Sequence, residues 1–343
     1  MHPILQEFTR KRVLAYARSI PEEGALGPVL FPAVTTNELT FEYWRELNLL
    51  PVSASLQPYG AEAQIGSRDG AAKVSGEIPP IKRKINLDER NLLALKREGA
   101  GDIPMVRDTL YNDIRSMVQG VQTRIEALRI MAMATGQLVL NENGVILNVN
   151  YGVPGAHQVT LTGGVDTWDF VAGRDIVGNM QTWANIVQGN TGIRPTRAVT
   201  SDTVINFMLQ DQAIREMIWG PVGDMRPVTL GQINGLLQSM DLPQVGSYNR
   251  RYRVQNEAGA FNIQRFFPQD RFVMLPPTRL GDTLMGPTAE ALLDDNVEAN
   301  LIAGIYATVE HENEPPMIWT KASATSLPTF PAADLVFQAV VLP

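Results

Sequence analysis

The hydrophobic positions of this 343-residue chain change period several times, and each change marks an element. In residues 1–20, Ile4, Leu5, Phe8, Val13, Leu14 and Tyr16 fall to one side, with Arg10, Lys11, Arg12 and Arg18 between them. That spacing predicts a short amphipathic helix, either a surface helix or an arm that docks on a neighbouring chain. Residues 21–58 carry strand-like runs, Val29–Val34 and Leu39–Trp44, punctuated by Pro21, Pro28, Pro32, Pro51 and Pro58. The stretch from Gly60 to Pro80 holds Gly60, Gly66, Gly70, Gly76 and the pair Pro79-Pro80, with few large apolar side chains. It can bury little surface on itself, which predicts a long projecting loop or hairpin.

Asp102 to Gly136 gives the strongest local signal. Leu110, Ile114, Met117, Val118, Val121, Ile125, Leu128 and Met131 recur in steps that trace one helical stripe. Asp102 suits the N-cap, Pro104 the first turn, and Gly136 a left-handed C-terminal cap. A helix over 104–135 would be roughly 45–50 Å long, about three times the usual length. Charges do not repeat regularly beside the stripe, so a coiled coil is not favoured. Gly120 is a place for a bend or a close contact. Directly after the helix, Leu138–Leu140 and Val145–Tyr151 alternate in period two around Asn143-Gly144, a type I′ hairpin signal.

From about Trp168 short helices and strands alternate. Asp175–Gln188 presents an apolar helical face, Arg197–Thr200 reads as a strand, and a helix capped near Ser201 or Asp202 runs through Met217. Val228–Met240 is a further helix, followed by strands at Tyr248–Val254, Phe261–Phe267 and Arg271–Leu275. This predicts a compact mixed domain. The chain ends in the apolar run Leu335–Leu342, a buried strand expected to return to the first domain.

Composition narrows the function. Hydrophobic residues are 44% of the chain and charged ones 19%, with 28 glycines and 23 prolines, so a sizeable core and many turns are expected. A net charge of −7 argues against nonspecific nucleic-acid binding, which needs cations for phosphates. Without cysteine there is no disulfide, thiolate metal site or cysteine nucleophile. No apolar run reaches the ~18 residues of a membrane span, and the basic N-terminus lacks the apolar region of a secretory signal.

Chemical motifs are scarce. His2, His157 and His311 are far apart. In Glu310-His311-Glu312-Asn313-Glu314 the three glutamates would share one strand face, which fits a solvated strand end before Pro315-Pro316 better than a metal site. The glycine-rich stretch contains neither a Gly-Lys-Ser/Thr phosphate loop nor a Gly-x-Gly-x-x-Gly turn, and there is no Gly-x-Ser-x-Gly elbow. Trp168, Trp183, Trp219 and Trp319 sit in apolar segments and are read as core or interface packing. No catalytic, cofactor-binding or metal-binding residue is identified, so an enzyme is not expected.

Charge is distributed unevenly. Between Gly66 and Glu98 there are eight basic residues against five acidic, and from Asp270 onward ten acidic against three basic. Such regions can be neighbours within one fold or meet head to tail between copies. The projecting basic loop favours contact between copies, with Arg68, Asp69, Lys73, Lys82, Arg83, Lys84, Asp294 and Asp295 as the subunit-interface candidates.

The order of these elements resembles the HK97-type capsid fold of tailed bacteriophages, an α+β architecture. The sequence itself resembles the major capsid protein E family, the phage lambda type. The resemblance rests on Leu30-Phe31-Pro32 with Thr35-Thr36-Asn37-Glu38-Leu39, and on the stretch ending Pro79-Pro80-Ile81-Lys82. It continues in the long helix through Arg124-Ile125-Glu126-Ala127-Leu128, then in Gly163-Gly164-Val165-Asp166-Thr167-Trp168. It covers nearly the whole chain.

The resemblance implies an N-arm at 1–28, and an E-loop (about 50–86) with flanking strands in 29–103. A peripheral domain with spine helix and hairpin would occupy 104–167, an axial domain 168–314, and a returning peripheral strand 315–343. It implies hexamers and pentamers building the icosahedral shell around double-stranded DNA, which is held on the inner face without sequence specificity. Partners would be a portal protein, a decoration protein and, because the chain starts almost at the arm, a separate scaffold. Localisation would be the virion after assembly in the host cytoplasm. Lys73 is the only lysine in the loop's glycine-rich core, and no partner for a covalent crosslink is identified, so none is expected. The alternatives are an encapsulin-type bacterial compartment, separable by its cargo enzyme, and an α/β enzyme, separable by a closed ligand pocket.

Overall fold

A computed structural model of the chain describes residues 8–46, 50, 53–54, 56–57, 59, 71–91, 93, 103–142, 144–162, 166–221, 226–255, 259–293 and 304–343. The amphipathic N-terminal segment forms α1 (Arg10–Ser19), and a second helical turn is α2 (Gly27–Leu30). The long helix is α3 (Ile103–Thr135), unbroken through Gly120 and about 50 Å long. Gly120 serves as a close contact: a side chain there would meet the Arg83 chain at 2.9 Å.

The N-terminal half of α3 buries the predicted stripe. Leu110, Ile114, Met117, Val118, Val121 and Ile125 form one core with Val13 and Ala17 of α1 and with Ala307, Ala322 and Ala324. The last two belong to β15 (Pro316–Pro328), whose run of small residues lets a helix cross closely. β15 is the centre of a sheet with β1 (Ala33–Thr35), β4 (Pro80–Leu87), β13 (Thr283–Gly286) and β14 (Tyr306–Asn313).

The C-terminal half of α3 is enclosed on all sides. Ala127, Ile130, Ala132, Met133 and Ala134 pack with Phe31, Phe267 and Phe330 and with the hairpin β5 (Gln137–Glu142) and β6 (Val145–Asn150). Gly136 ends the helix with φ +69° and donates its N–H to Ala132 O at 2.9 Å. The last carbonyls are also capped from a distance. Arg271 reaches Ala134 O and Gln338 reaches Met133 O, both at 2.8 Å. Gly144 adopts the left-handed turn conformation (φ +78°), while Asn143 lies outside the described residues.

The mixed domain is a five-stranded sheet with helices packed on it. Its order is β7 (Gln158–Thr160), β16 (Phe337–Val340), β12 (Arg271–Leu275), β8 (Arg197–Thr200) and β9 (Gln244–Ser247). The helices are α4 (Ile176–Thr191), α5 (Asp202–Gln210), α6 (Gln212–Trp219) and α7 (Leu230–Ser239). A separate antiparallel hairpin, β10 (Arg251–Gln255) and β11 (Phe261–Arg265), precedes β12.

Several expectations differ from these elements. Val29–Val34 does not form one strand, because Pro28 opens the helical turn α2 and only Ala33–Thr35 is extended. The helix expected from Ser201 to Met217 breaks at Asp211, whose carboxylate accepts from Ile214 N at 2.9 Å and starts a new helix. The last strand does not return to the sheet beside the long helix. β16 pairs with β12 and β7 inside the mixed domain, whereas β13, β14 and β15 complete the α3 sheet. The α3 sheet therefore takes strands from both ends of the chain, and the mixed-domain sheet takes its strands from residues 158–340.

Burial raises the pKa of four tyrosines, Tyr43, Tyr151, Tyr248 and Tyr252, holding them as neutral phenols. Tyr43 is pushed up to about 12, and Tyr151 and Tyr248 are raised as well, Tyr248 also through its bond to Glu126. A raised pKa contributes stability in full below the unfolded value near pH 10, and that stability is lost as pH rises past it. The urea midpoint is therefore expected to fall between about pH 8 and about pH 11. Tyr151→Phe should flatten that fall; an unchanged slope in the variant would show that the tyrosine at 151 contributes nothing to it.

Candidate subunit-contact surfaces

Part of the stretch expected to project is the hairpin of β2 (Thr40–Glu46) and β3 (Ala71–Glu77), paired from Thr40↔Glu77 to Glu46↔Ala71, and it packs on the body through buried Phe41 and Val74; residues 60–70 lie outside the described residues. Near the far end of this ladder Arg45 fixes it to the body, donating to the carbonyls of Tyr151 and Gly152 and forming a largely buried pair with Asp334 at 3.3 Å. On the hairpin face Lys73 pairs with Glu42 at 2.7 Å and lies 5.9 Å from the ring of Trp44, which is 64% exposed. Arg68 and Asp69 lie outside the described residues, as do Asp294 and Asp295.

Lys82, Arg83 and Lys84 do not sit in a free loop. They belong to β4 and find partners in their own chain. Lys82 bonds Glu290 at 2.7 Å, Lys84 lies 4.7 Å from the Trp319 ring, and the Arg83 chain runs over Gly120. Next to them on the sheet, Lys321 bonds Glu310 at 2.6 Å and Trp319 Nε1 donates to Glu312 at 2.9 Å. The basic strand and the acidic C-terminal region are thus neighbours within the fold at these points. Such exposed pairs are worth about 0–1 kcal/mol each, so the side chains stay free to exchange partners.

Sequence reasoning missed the most buried polar cluster. Glu126 and Arg129, consecutive on one face of α3, are 2% and 1% exposed. The Glu126 carboxylate accepts from the N–H groups of Leu26 and Gly27, both at 3.0 Å, and from the Tyr248 hydroxyl at 2.6 Å. It caps the start of α2, where four N–H groups have no helical partner. Arg129 bonds Glu22 at 2.6 Å and Thr283 Oγ1 at 2.8 Å, with Glu126 itself 3.7 Å away. A Cβ on Gly27 would overlap Glu126, at 2.1 Å. Four separate regions of the chain, around residues 22–27, 126–129, 248 and 283, meet here. The clue was two charges within the apolar run Ile125 to Ala134, where a solvated face is impossible.

His157 is buried among apolar side chains, its Nε2 2.9 Å from Asn190 Nδ2, and burial lowers its pKa. His311 lies on β14, and His2 is outside the described residues. Among the described residues no three His, Asp or Glu side chains converge as metal ligands, and no helix is long and apolar enough to cross a membrane. Trp168 and Trp183 stack in the mixed-domain core, while Trp219 is 36% exposed and Trp319 lies on β15.

The family of phage major capsid protein E matches residues 21–341. The chain belongs to that family. It is a capsid shell protein, and the HK97-type α+β fold expected from the order of its elements is the fold it adopts. Compartment shells of bacteria and α/β enzymes are not favoured by this assignment, and family members are structural proteins. The putative capsid protein of a prophage from E. coli CFT073 superposes with a TM-score of 0.63 at 13% identity, covering 97% of this chain and 98% of that one. A phage-related protein from Bordetella bronchiseptica RB50 gives 0.53 at 12%, covering 97% and 98%. The mature capsid of bacteriophage PhiM1 gives 0.51 at 10%, covering 93% and 88%. No curated protein matches.

Proposed function

We propose that this capsid protein forms hexamers and pentamers and that these close an icosahedral shell around double-stranded phage DNA. The match across residues 21–341 carries the reading. In it residues 1–28 are the N-arm, α3 is the spine of a peripheral domain, and the mixed domain surrounds the capsomer axes. The β2–β3 hairpin is the root of an E-loop that lies over an adjacent subunit; exposed Trp44, Leu56 and Tyr59 around it support that role. A portal at one vertex, a separate scaffold and a decoration protein would complete the particle, assembled in the host cytoplasm. DNA would meet the inner face without sequence specificity. The protein has no catalytic role in this reading.

Negative-stain electron microscopy of purified protein tests it. Capsomers or shells are expected, and a monodisperse monomer under every assembly condition would overturn it. The interface candidates have their own test. The triple reversal of Lys82, Arg83 and Lys84 to glutamate breaks only exposed pairs, each worth about 0–1 kcal/mol, so the monomer should still fold. Shell yield should drop. Shells at wild-type yield would remove these three residues from the interface.

A further inference from the structure

The β10–β11 hairpin carries an uncovered face of unusual composition. Arg251 stands opposite Arg265 in its ladder, Arg253 opposite Ile263 and Gln255 opposite Phe261. Alternate residues share a face, so Arg251, Arg253, Phe261, Ile263 and Arg265 lie together. Tyr252 points the other way and packs on Phe266, with ring centroids 4.6 Å apart. On the outward face Phe261 and Ile263 are exposed, and the Arg253 guanidinium sits 5.2 Å from the Phe261 ring. Among the described residues neither Arg251 nor Arg253 has a carboxylate within ion-pair distance. Like charges directly across a ladder destabilise it. Arg265 is compensated by Asn249, which in turn bonds Asp202; Arg251 has no such relief. Exposed arginine beside exposed aromatic and aliphatic side chains is the composition of an interface core rather than of a solvated edge.

The same chain displays the complementary surface. The loop at 166–173 is pinned at both ends. Trp168 is fully buried between Trp183 and Phe272, and its backbone N–H donates to Val341 O at 2.9 Å. At the far end Arg174 forms a buried pair with Asp211 at 2.7 Å and bonds Trp168 O at 3.3 Å. Between these anchors Asp169, Phe170 and Val171 face solvent, as does Asp166 just before the first anchor, and neither aspartate has a basic partner among the described residues. An acidic and apolar knob is thus held in a fixed shape, which lowers the ordering cost of binding.

We propose that the β10–β11 face of one copy receives the Asp166–Val171 knob of a neighbouring copy, pairing Arg251 and Arg253 with Asp166 and Asp169 around an apolar centre of Phe261, Ile263, Phe170 and Val171. Every copy carries one of each surface, so the contact is heterologous and repeats head to tail, closing a ring when the rotation permits. This rests on the shell-forming reading and assigns one contact within it.

A charge swap tests the contact. The variants R251E/R253E and D166K/D169K place like charges against each other at every contact. Each is expected to cut capsomer and shell yield by at least about tenfold, read by sedimentation velocity and negative stain. Unchanged far-UV circular dichroism melting would confirm that each variant is folded. The quadruple variant restores opposite charges at every contact and should regain assembly. Wild-type yield from both double variants overturns the contact while leaving the shell reading intact, and so does a folded quadruple variant no better than its parents. Normal R251E/R253E shells that hold less DNA would make the arginine face a phosphate contact and also overturn it. A wild-type chain that stays monomeric under all conditions overturns the contact and the shell reading together.

Discussion

Replacing Glu126 with alanine is expected to cost about 3–5 kcal/mol, the loss seen when one member of a buried charge cluster is removed. The substitution strands the N–H groups of Leu26 and Gly27 and the Tyr248 hydroxyl, all of which donate to that carboxylate. It also leaves Arg129, 1% exposed, with Glu22 as its only close acidic partner among the described residues. Since domains are stable by about 5–15 kcal/mol in all, the variant should unfold at a much lower urea midpoint. Glu126→Gln retains an acceptor for the amides but not the charge, and should fall between the two. Tyr248→Phe removes one hydrogen bond and should cost about 1–2 kcal/mol. If Glu126→Ala melts with the wild type, the cluster is not what fastens α2 and β13 to the long helix.

Trp168→Ala should destabilise the mixed domain by about 3–5 kcal/mol through the lost burial and the cavity left behind. The indole lies at the centre of an aromatic chain. It is 5.8 Å from Trp183, which in turn is 5.2 Å from Phe337, and it meets Phe272 edge-on at 5.1 Å. Its Nε1 has no hydrogen-bond partner among the described residues, so Trp168→Phe should cost clearly less than alanine: it loses volume but also removes a buried unsatisfied donor. Denaturation followed by near-ultraviolet circular dichroism would report this core directly. Equal losses for phenylalanine and alanine would rule out stacking as the source of the stability. Because Trp168 anchors the 166–173 loop, Trp168→Ala should also impair assembly in excess of its folded fraction.

Features decided by near neighbours were legible in the sequence. The stripe of α3, its Gly136 stop and the alternating hairpin beyond it are local patterns, and each appears at the expected residues. So do the helix expected over Asp175–Gln188 and the strands at Arg197–Thr200 and Arg271–Leu275. Pairing across long separations was not legible. β4 aligns with β15 more than two hundred residues later, and nothing in the period of either strand names the other. That gap explains the misplaced basic strand. Lys82, Arg83 and Lys84 read correctly as exposed cations, but Glu290 and Trp319 became their neighbours only through the sheet. The Glu126–Arg129 pair left a trace as two charges in an apolar run, but nothing in the sequence named Glu22, Leu26, Tyr248 or Thr283 as their partners.

The order in which the two sheets are completed has a consequence for synthesis. β15 fills the middle of one sheet and β16 sits between β7 and β12 in the other, and both come from residues 316–340. Until that stretch has left the ribosome, β4, β13 and β14 have no common strand to pair with and β12 exposes one edge. A nascent chain therefore cannot finish either half in turn, and both close late and together.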